Sequence, residues 1–241
     1  MSASSNPEKQ TRLFSIDPVT KAAIERISQR ADCGCLWARG VPNLHVEPQD
    51  FNAAGWARTI ELIRASARAG SEVFEPSAHI PWDDWLNVIT LPPSLGDLAA
   101  VRQIRLYGSP LRRLPSEIGR LKALEDLDIY TSQCLHWLPY EITRCTNLRR
   151  SRMSTRALYG NKKTGLPFPI LSRPMEALLP STCSICDRSF NGVTPHLLWI
   201  TLRVGTDNAP LLVHSCSEEC THSLPAPSPG YHPRPHQGGM P

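Results

Sequence analysis

At 241 residues, with 41% apolar and 20% charged side chains, the chain is long enough to bury a real core and has the composition of a soluble globular protein, which excludes a fibrous or wholly disordered class. Its net charge of +4 is too small to define a partner, yet Val101 to Lys163 holds 13 lysines and arginines against 5 carboxylates, so the basic excess is local. The first ten residues lack the apolar stretch of a signal peptide and no apolar run approaches the roughly 20 residues of a membrane-spanning helix. The expected compartment is therefore cytoplasmic, with no membrane association, and there the eight cysteines stay free, fill cores or bind metal.

Residues 1–15 are poor in apolar side chains and are expected to form a flexible arm. Ile16 to Arg30 carries Ile16, Val19, Ala23 and Ile27 at helical spacing, with Asp17-Pro18 as cap and first turn. Cys33 and Cys35 follow in a loop, too close together and too isolated to specify a metal site. A stronger helix is expected from about Asn52 to Ala69, where Trp56, Ile60, Ile63 and Ala67 form one stripe and Gly70 can stop it. Residues 16–90 thus form a helical N-terminal cap region, with Ile80-Pro81-Trp82 and Trp85-Leu86 as a degenerate first repeat.

The repeats proper start at Leu91-Pro92-Pro93-Ser94-Leu95, Leu114-Pro115-Ser116-Glu117-Ile118 and Leu138-Pro139-Tyr140-Glu141-Ile142, which are 23 and then 24 residues apart. Such a period marks one supersecondary unit stacked on itself, an architecture used more for recognition than for chemistry. Within the units, Val101-x-x-Ile104-x-Leu106-x-x-Ser109-x-Leu111 and Leu124-x-x-Leu127-x-Ile129-x-x-Ser132-x-Cys134 share one apolar pattern. The third, Leu148-x-x-Ser151-x-Met153-x-x-Arg156-x-Leu158, departs at Ser151 and Arg156, as a terminal unit would.

Over roughly residues 86–160 these phrases resemble the leucine-rich repeat family of bacterial and plant-like type. The resemblance implies an α/β fold: a short leucine-rich repeat solenoid with parallel strands over 91–165, behind the helical N-terminal cap. It brings no activity with it. Alternation along each strand turns Gln103, Arg105 and Tyr107, then Asp126, Asp128 and Tyr130, then Arg150, Arg152 and Ser154 outward on the concave side. With parallel strands about 4.8 Å apart, Arg105, Asp128 and Arg152 stand in one row, Gln103, Asp126 and Arg150 in a second, and Tyr107 beside Tyr130 in a third. That face is either a self-satisfied charge ladder or a binding surface of Arg105, Tyr107, Asp128, Tyr130 and Arg152, the aromatic and arginine types that most often anchor partners. Arg144, Arg149, Arg150, Arg152, Arg156, Lys162 and Lys163 extend the basic end, which is either a solvated surface or a contact for an acidic protein, phosphates or a membrane surface.

Residues 166–180 are proline-rich and form an expected linker, bounded by Pro174 and Pro180. Residues 181–224 follow as a cysteine module. Cys183-x-x-Cys186 and Cys216-x-x-x-Cys220, with 29 residues between the pairs, supply four thiolates at spacings that let each pair clasp one tetrahedral zinc. Leu197 to Val204 and Leu211 to Val213 are expected as strands around a turn at Gly205-Thr206-Asp207-Asn208. So small a module has too little core to fold by burial alone, so a metal would add directly to its stability. The stretch Val213-His214-Ser215-Cys216-Ser217-Glu218-Glu219-Cys220 resembles the second knuckle of treble-clef zinc domains of the TRASH and MYM type, in which C-S-x-x-C opens a short helix. Four cysteines complete the shell, so His214 and His222 are not needed and the zinc is expected to be structural, with no position open for water or substrate. Residues 225–241, with six prolines, are expected as a disordered tail, and Cys134 and Cys145 as core residues.

No phosphate-binding glycine loop, HExxH or G-x-S-x-G elbow occurs, and Asp83-Asp84, His45, His79, His136 and His196 have no partner nearby in sequence, so the chain is not expected to be an enzyme. Two functions remain: a protein–protein interaction module with a structural zinc site, or a nucleic-acid-associated protein using the basic repeat surface and the knuckle. Arg188 and Arg203 against Asp187, Asp207, Glu218 and Glu219 make the knuckle slightly acidic, which weighs against the second.

Overall fold

The structure is a computed structural model that describes residues 40–172 and 180–239. The arm expected over 1–15, the helix expected over Ile16 to Arg30, Cys33 and Cys35, and Pro174 of the expected linker lie outside the described residues. The first helix, α1, spans Ala54–Ala69 and ends on Gly70, whose left-handed φ of 61° lets its N–H reach back to the Ala67 and Ser66 carbonyls. Its buried face is Gly55, Trp56, Thr59, Ile63 and Ser66, so Ile60 and Ala67 of the expected stripe are only partly covered. Gly55 lies against the short helix α2 (Trp82–Trp85), where an added Cβ would overlap the Asp84 carbonyl.

Four short strands form a parallel sheet in the order β1 (Val73–Phe74), β2 (Gln103–Arg105), β3 (Asp126–Ile129) and β5 (Arg150–Met153). The register joins Gln103 to Asp126 to Arg150 and Arg105 to Asp128 to Arg152, the same offsets of 23 and 24 residues at which the Leu-Pro phrases recur. β1 adds a strand upstream of them, with Phe74 beside Ile104. The first unit thus opens at Val73-Phe74, and Ile80-Pro81-Trp82, expected to start it, leads into α2 instead. The residue pair is too short to show alternation, which is why it escaped notice.

Each Leu-Pro phrase enters a 3₁₀ turn, over Pro93–Asp97, Ser116–Arg120 and Tyr140–Arg144. Pro92, Pro115 and Pro139 precede them in extended backbone at φ −63°, −75° and −67°, the values a proline ring enforces, so one residue type sets the same entry geometry three times. Adjacent turns pack on one another, and α1 covers the first of them. Leu95, Ile118, Leu121, Leu124 and Leu127 between sheet and turns are fully buried; each such side chain contributes about 1.5–3 kcal/mol of transfer free energy.

The cysteine module is not a separate body. Its hairpin, β6 (His196–Val204) with β7 (Asp207–Ser215), is joined through β7 to β4 (Leu138–Pro139), the third Leu-Pro phrase, in a second sheet of order β4-β7-β6. Ile200, Leu202, Val204, Ala209, Leu211 and Val213 belong to the same core as the repeat leucines. The module was expected to have too little core to fold by burial alone; its hairpin packs into the core of the Leu-Pro units instead of one of its own. The return strand is also longer than expected, starting at Asp207.

The hairpin tip explains the odd third unit. Ser151 stands where the earlier units carry Ile104 and Leu127; its hydroxyl lies 2.7 Å from the Val204 carbonyl and 2.8 Å from the Asp207 carboxylate, with one proton to give to either, while accepting from the Thr206 and Asp207 N–H groups (both 3.1 Å). Gly205, at φ +59°, passes so close that a Cβ would meet the Arg150 carbonyl carbon at 2.7 Å. The tip therefore covers the last edge of the parallel sheet, which would otherwise leave ladder groups unpaired. Restoring the apolar pattern with Ser151→Leu is accordingly expected to destabilise the protein, by about 2 kcal/mol or more, because a docked set of polar groups loses its partner. Urea unfolding measures it; a neutral or stabilising result would contradict the docking.

A second core lies on the other side of the hairpin, where Leu44, Trp137, Tyr159, Phe168, Trp199 and Leu212 meet. Leu166, Phe168 and Leu171 of the expected linker are buried in it. The tail expected to be disordered from Pro225 instead runs back along β6 as far as it is described: Trp199 and His236 exchange backbone hydrogen bonds (2.7 and 3.1 Å), and the His236 ring packs edge-on against Phe168 at 4.6 Å. Proline-rich chain needs few N–H partners, so it can lie on a sheet edge with two bonds and still be ordered.

Candidate metal centre and binding face

Cys183 and Cys186 sit on a tight knuckle in which Cys183 N–H donates to the Arg188 carbonyl (2.9 Å), Asp187 N–H donates back to the Cys183 carbonyl (3.1 Å), and Asp187 takes a left-handed φ of 61°. Cys216 follows the last residue of β7. Cys220 lies in helix α3 (Glu218–His222), whose cap residue Ser217 accepts from the Cys220 N–H at 3.2 Å. β7 thus carries the second pair to the first, and the four Sγ atoms lie within 4.8 Å of one another, Cys186 to Cys216 at 3.6 Å and Cys216 to Cys220 at 3.7 Å.

Sulfurs held tetrahedrally at about 2.3 Å from a zinc ion are about 3.8 Å apart, so donor type, number and spacing all fit a four-sulfur metal site. The thiols differ in readiness to ionise: the Arg188 backbone N–H draws Cys186 down to about 7, whereas hydrogen bonding with Cys186 pushes Cys216 up to about 12. His214 and His222 stand outside the cluster. His214 is buried among backbone partners, its N–H donating to the Ser184 hydroxyl at 3.0 Å, and burial lowers its imidazole to about 4.

The first knuckle is fastened to the third Leu-Pro turn. Arg144 donates to the Ser184 carbonyl (2.6 Å) and pairs with Asp187 (2.6 Å). Glu141, buried beside it, is held above the ordinary carboxylate range by burial, against the lowering effect of its bond to Ser184. The cysteine cluster and the third Leu-Pro turn are therefore mechanically continuous.

The outer face of the parallel sheet carries the rows expected from alternation. Arg152 binds Asp128 through two nitrogens (2.6 and 3.1 Å), Arg150 pairs with Asp126 (3.2 Å), and Arg105 reaches Gln103 (3.0 Å) and Glu75 (3.2 Å). Glu75, just after β1, was not anticipated, since it needed the extra strand to bring it there. The Tyr107 and Tyr130 rings lie 6.0 Å apart, are 51% and 44% exposed, and have the Arg152 guanidinium over both at 5.6 and 5.5 Å. The charges of this face are thus largely matched internally, while its two tyrosines remain open to solvent. Of the wider basic cluster, Arg144 is also paired, Lys162 lies over the Tyr231 ring at 5.0 Å, and Arg149, Arg156 and Lys163 are exposed.

Cys134 and Cys145 are buried core residues as expected, and burial pushes the Cys145 thiol up to about 11. Asp84 is paired with Arg58 at 2.8 Å. Among the described residues no helix is long and apolar enough to cross a membrane. Compared with known protein families, with curated proteins and with solved structures, the chain matches none.

Proposed function

We propose that this chain is a protein-interaction module: a short leucine-rich repeat stack over residues 91–165, preceded in its sheet by β1 (Val73–Phe74), covered at one end by α1 and closed at the other by a module whose four cysteines hold a structural zinc. In this reading it is not an enzyme, and the ion, when bound, supplies rigidity to the knuckles and no reacting position. Cys183, Cys186, Cys216 and Cys220 would hold it.

The observation that carries the reading is the Tyr107–Tyr130 pair beneath Arg152, exposed on a rigid sheet face. Rigid aromatics cost little side-chain entropy on binding and arginine held by Asp128 is already oriented, which is the composition of interface anchors. The matched charges around them favour a protein surface over a phosphate backbone, which would need unpaired cations.

Affinity capture with the wild type and a Tyr107→Ala/Tyr130→Ala/Arg152→Ala variant tests this. All three side chains are exposed, so the variant keeps its fold by circular dichroism, and partners retained by the wild type are expected to fall about tenfold or more. Unchanged recovery would remove the face from the account. Saturable, salt-dependent binding to mixed nucleic acids, lost on Arg149→Ala/Arg156→Ala/Lys163→Ala, would replace it with the nucleic-acid function.

A further inference from the structure

The charges of the outer sheet face are sorted by strand. Glu75, just past β1, is acidic; Arg105 of β2 is basic; Asp126 and Asp128 of β3 are acidic; Arg150 and Arg152 of β5 are basic. The register position at the strand entries repeats the order as Glu72, Arg102, Glu125 and Arg149, joined by backbone hydrogen bonds of 2.8, 2.8 and 3.0 Å, with the Arg102 and Glu125 side chains paired at 2.6 Å. The four parallel strands therefore read minus, plus, minus, plus across the sheet, with no net charge.

Within one chain this order pairs each strand with its neighbour, and such exposed pairs are individually weak. It also fixes how the face can meet a copy of itself. A two-fold axis along the strands, between β2 and β3, reverses the strand order, so β1 comes opposite β5 of the second copy and β2 opposite β3. Every acidic column then faces a basic one. A two-fold axis across the strands keeps the order, so every column faces its own sign. Opposite charges select the first arrangement and like charges exclude the second. An even number of alternating columns is thus self-complementary, which is the property an isologous interface needs.

The tyrosines fit the same axis. Tyr107 and Tyr130 continue the two central strands, two residues beyond Arg105 and Asp128, and their rings are about half exposed. Reversal of the strand order sets Tyr107 of each copy against Tyr130 of the other, gathering four rings around the axis. They supply the aromatic centre that the charged columns lack. Sheets that pack face to face keep their strands within about 30° of each other, as this axis allows.

We propose that the partner met by the outer face is a second copy of this chain, docked face to face about a two-fold axis along the strands. The proposal rests on the reading of that face as the recognition surface and names its occupant. Strands of two to four residues make a face smaller than a standard interface, so the dimer is weak and forms as concentration rises.

Sedimentation velocity of the full chain from about 5 to about 500 µM tests this, and a reversible monomer–dimer equilibrium is expected. Glu75 and Arg152 belong to the two outermost strands of one chain, about 14 Å apart at the spacing of the sheet, so neither compensates the other within a chain. Across the axis they face each other. Glu75→Arg and Arg152→Glu are each expected to weaken self-association about tenfold or more, and an equimolar mixture of the two variants to restore it, because either substituted position then faces the opposite charge. Tyr107→Ala/Tyr130→Ala, which changes no charge, is measured alongside and is expected to leave the chain monomeric over this range; circular dichroism checks each fold. Monomeric wild type at every concentration, no recovery in the mixture, or a dimer indifferent to the tyrosines would overturn the proposal. If the wild type is monomeric yet captures other proteins through Tyr107, Tyr130 and Arg152, the second copy is wrong and the recognition face stands; if capture is also indifferent to them, the face itself falls.

Discussion

Trp199→Ala is expected to cost about 3–5 kcal/mol of stability, the largest effect of any single substitution considered. Trp199 is fully buried at the centre of the second core, where its ring meets those of Trp137, Tyr159 and Phe168, its Nε1 donates to the Pro169 carbonyl at 2.9 Å, and its backbone holds His236. These partners come from Trp137 beside the third Leu-Pro phrase, the 158–171 stretch and the C-terminal residues. Removing the indole therefore loosens every segment packed in this second core, and for a chain of this length the expected fall in Tm is about 10 °C. The form of the transition is as informative as its midpoint. Because β7 pairs with β4 and shares the core of the parallel sheet, wild type and variant should each unfold in one cooperative step by circular dichroism and tryptophan fluorescence. Two resolved transitions, with the parallel sheet unaffected by the substitution, would mean that the hairpin is an independent domain.

Removal of the proposed zinc is the second large effect expected. Purified protein is expected to carry one equivalent of zinc, and its removal by a strong chelator to cost at least about 3 kcal/mol, again roughly 10 °C in Tm. That is less than the contribution zinc makes to isolated finger peptides, because β6 and β7 are already held by Leu138, Leu211, Val213 and their neighbours in the main core. The loss should be local. Hydrogen exchange is expected to rise across the Thr182–Ser189 knuckle and α3 while the β6–β7 ladder stays protected. Collapse of protection along the whole hairpin would return the account to a module that folds on metal alone. A Cys183→Ser/Cys216→Ser variant that retains one equivalent would refute the four-cysteine assignment.

How far these features could be seen in the sequence depends on whether they repeat. The 23- and 24-residue offsets translate directly into the register Gln103–Asp126–Arg150, because in-register parallel strands copy sequence period into space. The same holds for the prolines that set three identical turn entries, and for the paired cysteines, whose spacing alone implied convergence. Features made once and over long range had no such signal. β1 is two residues long and sits 30 residues before its partner in register, off the period. The segment 41–50 has no periodicity, yet the Gln49 side chain accepts from the Ile89 N–H (2.7 Å) and donates to the Asn87 carbonyl (3.0 Å), and the His45 ring stacks on His136 at 5.4 Å. Ser151 looked like decay of the pattern and is instead the docking point of the hairpin tip, a distinction that only the 55-residue return of the chain to Thr206 reveals. The tail was misjudged because proline-rich composition signals weak self-association, not the presence of a waiting strand edge.

The central claim, that recognition occurs on the outer sheet face, is tested most directly by site-specific photocrosslinking. A photoreactive phenylalanine analogue placed at Tyr130, on that face, and another at Val193, 51% exposed in the loop before β6, sample two surfaces of comparable accessibility. The account predicts a discrete protein adduct from position 130, lost when Arg152→Ala is added, and none from position 193. Equal labelling from both positions, or an adduct from position 193 alone, would contradict it.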